Sequence, residues 1–401
     1  MVAGAAGSTS GSALGRRDDA PARWAAGRLR YLDNLKVVLI AAIIAMHAVL
    51  GYVGSMEVWS YTEVRETTLN PVVEATLLVL ITPFGLCVMT MLFLVAGLLT
   101  PGSLERKGTA RYVRGRLLRL GVPFFAYVLL VQPAVMYALE HPLGNAPGSY
   151  WANIVDDEGV LDSGPLWFVG VLLIFSLGYA GWVRAGLGRA GTRKNGRITV
   201  GRLVLTAAVV APASFLVRLI YPYGSDSGFT DLNFWQWPAC LAMFGVGVSA
   251  VRHGWLTRVP ERVYRQSRAV TAAAVAGCMV LLSVAGLLER IDDMMGGVQW
   301  PAVAFTAVET VLSVFGPVWM LGAAQRHLGV PLRWAGPAVA RSSYGAFMVQ
   351  TPVLIGLAAA LRVVALPAEA KAVLVAAGAV VASFWLAWLL ISRVRGVARV
   401  L

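Results

Sequence analysis

The chain is poor in charge: only 14% of its 401 residues are charged, 58% are hydrophobic, and the mean hydropathy is +0.68. This composition excludes a soluble domain of this length and predicts a polytopic membrane protein. Cysteine is also scarce. Cys87, Cys240 and Cys278 all fall in apolar runs without paired spacing, which disfavours a disulfide framework or a cysteine metal site. The four histidines lie far apart in the sequence, so no metal is expected.

Long apolar runs divide the chain into about ten predicted membrane-spanning helices, because each run is long enough to cross ~30 Å of hydrocarbon. The fold class expected is therefore all-α and integral to the membrane. The runs lie near residues 34–53, 71–99, 120–139, 165–183, 203–221, 234–251, 269–288, 300–323, 342–361 and 372–392.

The charges alternate with these runs. The N-terminal segment and every second loop hold 29 of the 34 Lys and Arg residues but only 5 of the 21 acids. By the positive-inside rule, both termini and the basic loops are expected to be cytoplasmic. The net charge of +13 is thus interpreted as membrane orientation, and nucleic-acid binding is not expected.

The first 29 residues are rich in Gly, Ser and Ala and then mixed in charge, so they are expected to form a disordered cytoplasmic tail. No apolar stretch precedes residue 35, so an ordinary signal peptide is not expected. Residues 30–401 form the predicted membrane domain.

The first predicted span, "DNLKVVLIAAIIAMHAVLGY", contains two ionisable side chains. Lys36 and His47 are eleven residues apart, about three helical turns, so they share one helix face. Lys36 is expected at the cytoplasmic edge and His47 roughly 16 Å deeper, near the midplane. The imidazole is interpreted either as a buried structural group or as a general base that takes a proton from a hydroxyl.

Two further polar side chains are predicted at similar depth, Glu309 in "FTAVETVLSVF" and Gln350 in "SSYGAFMVQTPVL". With His47 they are expected to share a cavity in which Glu309 orients the imidazole, although a structural hydrogen bond explains Glu309 equally well. Arg218 and the acids of the loops are expected on the outer side. The acids Asp156, Asp157, Glu158 and Asp162 are interpreted as a solvated loop.

The first cytoplasmic loop, "TPGSLERKGTARYVRGRLLRLGVP", is a short amphipathic segment that continues into the third span. Simple topology marking explains some of its arginines. The spacing also places Arg116 and Arg119 on one helical face at the membrane surface. Because guanidinium groups bind phosphate oxygens bidentately, this pair favours a phosphorylated ligand. Arg111 and Arg114 of the same segment are further candidates.

Five stretches, in order, resemble the integral-membrane acyltransferase 3 family, which includes sugar O-acetyltransferases and glucans biosynthesis protein C. The resemblance covers essentially the whole chain after residue 29. The matching stretches are "RYLDNLKVVLIAAIIAMH", "LFLVAGLLTPGSLERKGTARYVRGRLLRLGVPFF", "GPLWFVGVLLIFSLGYA", "FGVGVSAVRHGWL" and "RSSYGAFMVQTPVLI".

This resemblance implies ten helices around a polar cavity, with acyl-CoA entering from the cytoplasm as the donor. It implies that His47 is catalytic and that Arg116 and Arg119 meet the CoA phosphates. The chain departs from the family pattern twice. Lys36 stands where an arginine is usual, which keeps the charge but loses the fork. Gln350 stands where relatives commonly carry histidine, and glutamine cannot accept a proton.

The function predicted is transfer of an acetyl or other short acyl group from acyl-CoA to a hydroxyl of a glycan, a lipid-linked sugar or a glycosylated metabolite, in a bacterial plasma membrane. The catalytic residues expected are His47 and Glu309. The alternative is a proton-coupled transporter or flippase that uses the same two groups as a proton relay. The side chains expected to line the cavity are Asp33, Trp167, Tyr344 and Gln350.

Overall fold

The computed structural model describes residues 29–55, 65–143, 162–187, 198–225, 231–330, 336–394 and 396–397, without the side chains of 139–143. Within these ranges the chain is built from helices and turns and has no strand. The predicted tail and the acids Asp156, Asp157 and Glu158 lie outside the described residues.

Ten segments are long and apolar enough to cross a membrane, which confirms the all-α, multi-pass prediction. The helices are α1 (Arg30–Leu50), α2 (Pro71–Lys107), α3 (Thr109–Arg116), α4 (Val122–Ala126), α5 (Gln132–Leu143), α6 (Trp167–Arg184), α7 (Val200–Arg218), α8 (Trp237–Val251), α9 (Glu261–Leu287), α10 (Trp300–His327), α11 (Pro337–Leu361) and α12 (Ala368–Arg393). Helices α3, α4 and α5 together form the third span. We call the end of the bundle that carries the start of α1 the basic end, and the opposite end the acidic end.

The third span follows directly from the arginine-rich segment, as predicted, but its helix is interrupted by two π-helical turns, Leu117–Gly121 and Tyr127–Val131. Pro123 follows the first turn. A proline has no N–H to give to the carbonyl four residues earlier, which here belongs to Arg119. The Tyr344 hydroxyl of α11 donates to that carbonyl at 2.7 Å. The irregular backbone is therefore satisfied by a neighbouring helix, as a membrane interior requires.

Helices α2 and α8 cross closely at two glycines. A Cβ built on Gly97 would lie 2.2 Å from the Phe244 carbonyl oxygen, and one on Gly247 would lie 2.4 Å from the Leu94 carbonyl oxygen. Neither position has room for a methyl group, and small residues at such crossings let two membrane helices approach backbone to backbone. This contact fixes α2 against the rest of the bundle.

Helix α1 packs against α10, α11 and α12 and is held at both ends. At the basic end the Asn34 amide donates to the carbonyl oxygens of Leu328 and Val330 at 2.7 and 2.9 Å. At the acidic end the N–H groups of Gly54 and Ser55 donate to the carboxylate of Glu74 at 2.7 and 2.9 Å. These contacts fix the position of α1 along its axis.

His47 lies in the last turn of α1. Lys36 lies eleven residues earlier on the same helix, so the two are separated by a rise of roughly 16 Å, as expected. The depth of His47 in the membrane stays a prediction.

Candidate functional site

The imidazole of His47 is half-buried and lies between two polar groups. One is the backbone carbonyl of Ile43, one turn earlier on α1, and the other is the side-chain amide of Gln350 on α11. The structure thus brings together two of the three polar side chains that the sequence predicted at this level. A ring nitrogen that donates its proton to a carbonyl leaves the other nitrogen with its lone pair, which is the form that a general base needs.

Gln350 and its neighbour Thr351 are both fully buried. Among the described residues, the Gln350 amide makes no hydrogen bond of standard geometry at either end, and the Thr351 hydroxyl makes none. Gln350 nevertheless lies beside His47, and Thr351 lies beside the Tyr127 hydroxyl. Sequence analysis singled out Gln350 but missed Thr351 and Tyr127. The signal available for Thr351 was its place directly after Gln350 in an apolar run.

A polar chain continues from Thr351 towards the acidic end. The Tyr127 hydroxyl, in the second π turn, donates to the side-chain oxygen of Gln132 at 2.9 Å. The Gln132 amide donates to the carboxylate of Asp162, whose other oxygen accepts from the Gly164 N–H at 2.6 Å. The interpretation of Asp162 as part of a solvated loop is therefore wrong, because its carboxylate is half-buried and holds the start of α6 against the third span.

Glu309 does not support His47 in this structure, contrary to the predicted role. Its carboxylate forms a salt bridge with Arg218, and both side chains are buried. Arg218 also donates to the Thr306 hydroxyl at 3.2 Å. The physical reason is proximity: the last residue of α7 faces α10 at the level of Glu309, so the nearest opposite charge is a guanidinium.

Aromatic rings enclose this ion pair. The guanidinium carbon of Arg218 lies 5.3 Å from the ring centre of Tyr223 and 5.7 Å from those of Trp235 and Phe305, within the range of cation–π attraction. We call these five residues, together with Thr306, the Arg218–Glu309 cluster. Sequence analysis placed Arg218 on the outer side and missed the pairing, although a cation and an anion buried in neighbouring apolar spans were the available signal.

The arginines of the first loop differ in their surroundings. Arg116 is half-buried: its Nε donates to the Tyr112 hydroxyl at 3.1 Å, its Nη2 to the Thr100 hydroxyl at 3.4 Å, and its guanidinium lies 5.1 Å from the Tyr112 ring centre. Arg119, Arg111 and Arg114 are exposed. Arg116 directly precedes the first π turn and Arg119 lies within it, and the shared face expected for the two side chains stays a prediction.

The remaining candidates are dispersed. Lys36 is half-exposed, with its Nζ 3.8 Å from a carboxylate oxygen of Asp33 one turn earlier. Tyr344 reaches the backbone of Arg119 at the basic end. Trp167 is buried at the start of α6. No group of three or more His, Cys, Asp or Glu side chains converges on a metal site within the described ranges.

Comparison with known proteins identifies one family. A model of the acyltransferase 3 family, described as an acyltransferase domain, matches residues 29–392. No curated protein and no solved structure matches the chain.

Proposed function

Because this chain belongs to the acyltransferase 3 family and so is a membrane-embedded acyltransferase, we propose that it takes a short acyl group from acyl-CoA. The acceptor is a hydroxyl of a glycan, a lipid-linked sugar or a glycosylated metabolite. The membrane proposed is the bacterial plasma membrane, with the basic end of the bundle in the cytoplasm, as the charge distribution predicts.

The observation that carries this proposal is the placement of His47. A half-buried imidazole in a bundle of apolar helices is costly to keep unless it has a function. Its neighbours in the structure are neutral: the Ile43 carbonyl and the Gln350 amide. A neutral imidazole is suited to accept a proton from an alcohol at the ring nitrogen that carries no hydrogen.

The reaction proceeds in two steps. First, the acceptor oxygen attacks the thioester carbonyl while His47 takes the hydroxyl proton, which gives a tetrahedral intermediate with a negative oxygen. Second, the carbon–sulfur bond breaks and the imidazolium returns the proton to the CoA sulfur. The products are the ester and free CoA thiol. Glu309 has no part in this scheme because it is paired with Arg218.

The donor phosphates are proposed to bind at the basic end, on Arg116 and Arg119 with Lys36, Arg111 and Arg114 nearby. Arg116 is held in place by Tyr112 and Thr100, so part of its conformational freedom is already lost before a phosphate arrives. Helix α11 connects this region to the base. Tyr344, which contacts the Arg119 backbone, and Gln350, which lies beside His47, are six residues apart, a rise of about 9 Å. The flexible arm of CoA is long enough for that separation.

The experiment is turnover by the purified full-length protein in lipid nanodiscs. Acetyl-CoA and longer acyl-CoAs are each combined with a panel of sugar acceptors, and free CoA thiol is measured. We expect thiol release that depends on the acceptor and is lost in His47→Ala. Acceptor uptake into sealed vesicles without any thiol release would overturn the proposal and favour the transporter alternative.

A further inference from the structure

The side-chain amide of Gln350 is the least satisfied polar group beside His47. It is fully buried, and among the described residues neither its oxygen nor its nitrogen has a hydrogen bond of standard geometry. Buried amides are almost always hydrogen-bonded, because a buried donor or acceptor without a partner carries the full desolvation penalty. A buried amide without a hydrogen bond, next to the proposed base, points to a partner that is present only during the reaction.

The chemistry of the amide fits one such partner. An amide has an acceptor at one end and two N–H donors at the other. The amide oxygen can accept from the imidazolium that forms during the reaction, and the N–H donors remain for an atom that approaches from the substrate. In acyl transfer the atom that gains negative charge is the former carbonyl oxygen of the thioester. It develops next to the base, because the base removes the proton of the attacking hydroxyl.

We infer that Gln350 is a catalytic residue whose side-chain N–H donates to the thioester oxygen and stabilises the tetrahedral intermediate. This inference rests on the proposed function, since it requires an acyl donor with a carbonyl. No proton moves to or from Gln350 in either step. The amide donates a hydrogen bond that strengthens as the carbonyl oxygen becomes negative, and the bond weakens again when the carbon–sulfur bond breaks.

Helix α11 holds Gln350 rigidly enough for this role. The side chain sits in the middle of a 25-residue helix that packs against α1 and α12. Phe347, one turn earlier, is buried with its ring centre 6.1 Å from that of Phe168 on α6. A donor that is fixed before the charge develops does not need to reorganise during the reaction, which is the condition under which such donors contribute most.

The first test replaces the amide. Gln350→Met keeps the length and volume but removes both polar ends. We expect kcat to fall by about 10²–10³-fold, the usual effect of removing one such donor, with unchanged KM values for acyl-CoA and acceptor. Ser383→Ala is the matched control: Ser383 is fully buried on α12, and its hydroxyl likewise has no hydrogen bond within the described chain. This control should retain wild-type turnover and thermal stability.

The second test separates donation from support of His47. A carboxylate would hold the imidazolium at least as well as the amide does, but it has no N–H to donate. If Gln350 acts as the donor, Gln350→Glu is at least as impaired as Gln350→Met. If Gln350 only positions His47, Gln350→Glu regains most of the wild-type kcat, and that result overturns the inference.

Binding of two CoA analogues gives a readout that does not depend on turnover. One is a ketone analogue whose hydrate carries the tetrahedral oxygen, and the other is a thioether analogue with no carbonyl. We expect Gln350→Met to bind the ketone about 10–100-fold more weakly than the wild type and to bind the thioether equally well. Equal loss for both analogues would show a packing defect and contradict the inference.

The two proposals fail in different ways. If the wild type releases no thiol from any acyl-CoA, the proposed function fails. If the wild type turns over acyl-CoA with dependence on His47 and Gln350→Met does so at the same rate, the function stands and the role of Gln350 is rejected.

Discussion

Two groups of buried polar side chains occupy the same helix bundle in opposite conditions. In the Arg218–Glu309 cluster the charges are paired, a hydroxyl binds the guanidinium, and aromatic rings surround it. On α11, the amide of Gln350 beside His47 and the hydroxyl of Thr351 beside Tyr127 are equally buried but lack hydrogen bonds of standard geometry within the described chain.

The difference between the two groups helps to distinguish buried polar side chains that stabilise the fold from those that serve a function. A charge that has found its partner needs nothing further, and removing one half of the pair leaves the other half stranded. A buried amide without such a bond beside the proposed base differs from that pair, because a contact made only during the reaction can complete it. On this comparison Glu309 belongs to the architecture and Gln350 is a candidate for the chemistry proposed for His47, although Glu309 and His47 looked alike in sequence as acid–base candidates.

The largest effect on this comparison is expected from His47→Ala. Loss of a general base lowers kcat by about 10²–10⁴-fold, whereas removing an ionisable group from an apolar helix lowers a desolvation cost. The thermal unfolding temperature in detergent should therefore be unchanged or slightly higher. A variant that unfolds early but keeps wild-type activity per folded molecule would show that the histidine is structural.

Breaking the Arg218–Glu309 cluster is expected to do the reverse. Glu309→Leu leaves the buried guanidinium without its anion and should lower the free energy of unfolding by about 3–5 kcal/mol. Turnover by the folded fraction should stay near the wild-type value. The double variant Arg218→Met with Glu309→Leu should recover much of the stability, because an apolar pair needs no compensation. If Glu309→Leu is as stable as the wild type but inactive, the structural role assigned to Glu309 is contradicted.

A smaller effect should separate the two loop arginines. Arg116→Lys loses the fork that binds Tyr112 and Thr100 and should raise the KM for acyl-CoA, by about tenfold for each ~1.4 kcal/mol lost. Arg119→Lys should raise it less, since Arg119 is exposed. The KM for the acceptor is the internal control and should not move. If the donor KM stays constant in the double lysine variant, the arginines serve topology alone and their proposed contacts with the donor phosphates are rejected.

The smallest change is expected at Lys36. Lys36→Arg keeps the charge and adds a planar fork, so the KM for acyl-CoA should stay the same or fall slightly, while Lys36→Ala should raise it. Both are measured by initial rates with the donor varied. Wild-type behaviour in both variants would leave Lys36 as a topology anchor that pairs weakly with Asp33.

The spans were predictable because hydropathy and helix length act locally along the chain. Ten apolar runs became ten segments long enough to cross a membrane in the described chain, and the arginine segment continued into the third span as its pattern suggested. The π turns at Leu117–Gly121 and Tyr127–Val131 were not predictable. After the first of them, the carbonyl that Pro123 cannot bond accepts from a hydroxyl of α11, a contact that no local pattern reveals.

The site was predictable only in part for the same reason. Apolar runs placed His47 and Gln350 at comparable depths, and the structure brings them together. Depth along a helix does not determine which neighbour a side chain faces, so Glu309 was assigned to the wrong partner. Asp162 was misread because its sequence surroundings are those of a loop, while its carboxylate is bound by a side chain from the preceding span.

Helix α11 fixes the distance between two proposed contacts of the donor. Tyr344 lies where the donor's phosphates are proposed to dock, and Gln350 lies where its carbonyl is proposed to react. The two residues lie on one helix, so the distance between them is set by the number of intervening residues and not by a flexible loop. Insertion of a single residue between them would increase their separation along the helix axis by about 1.5 Å and rotate one side chain by about 100° relative to the other. On the proposed function, such a variant would still bind acyl-CoA at the basic end but would turn Gln350 away from the thioester.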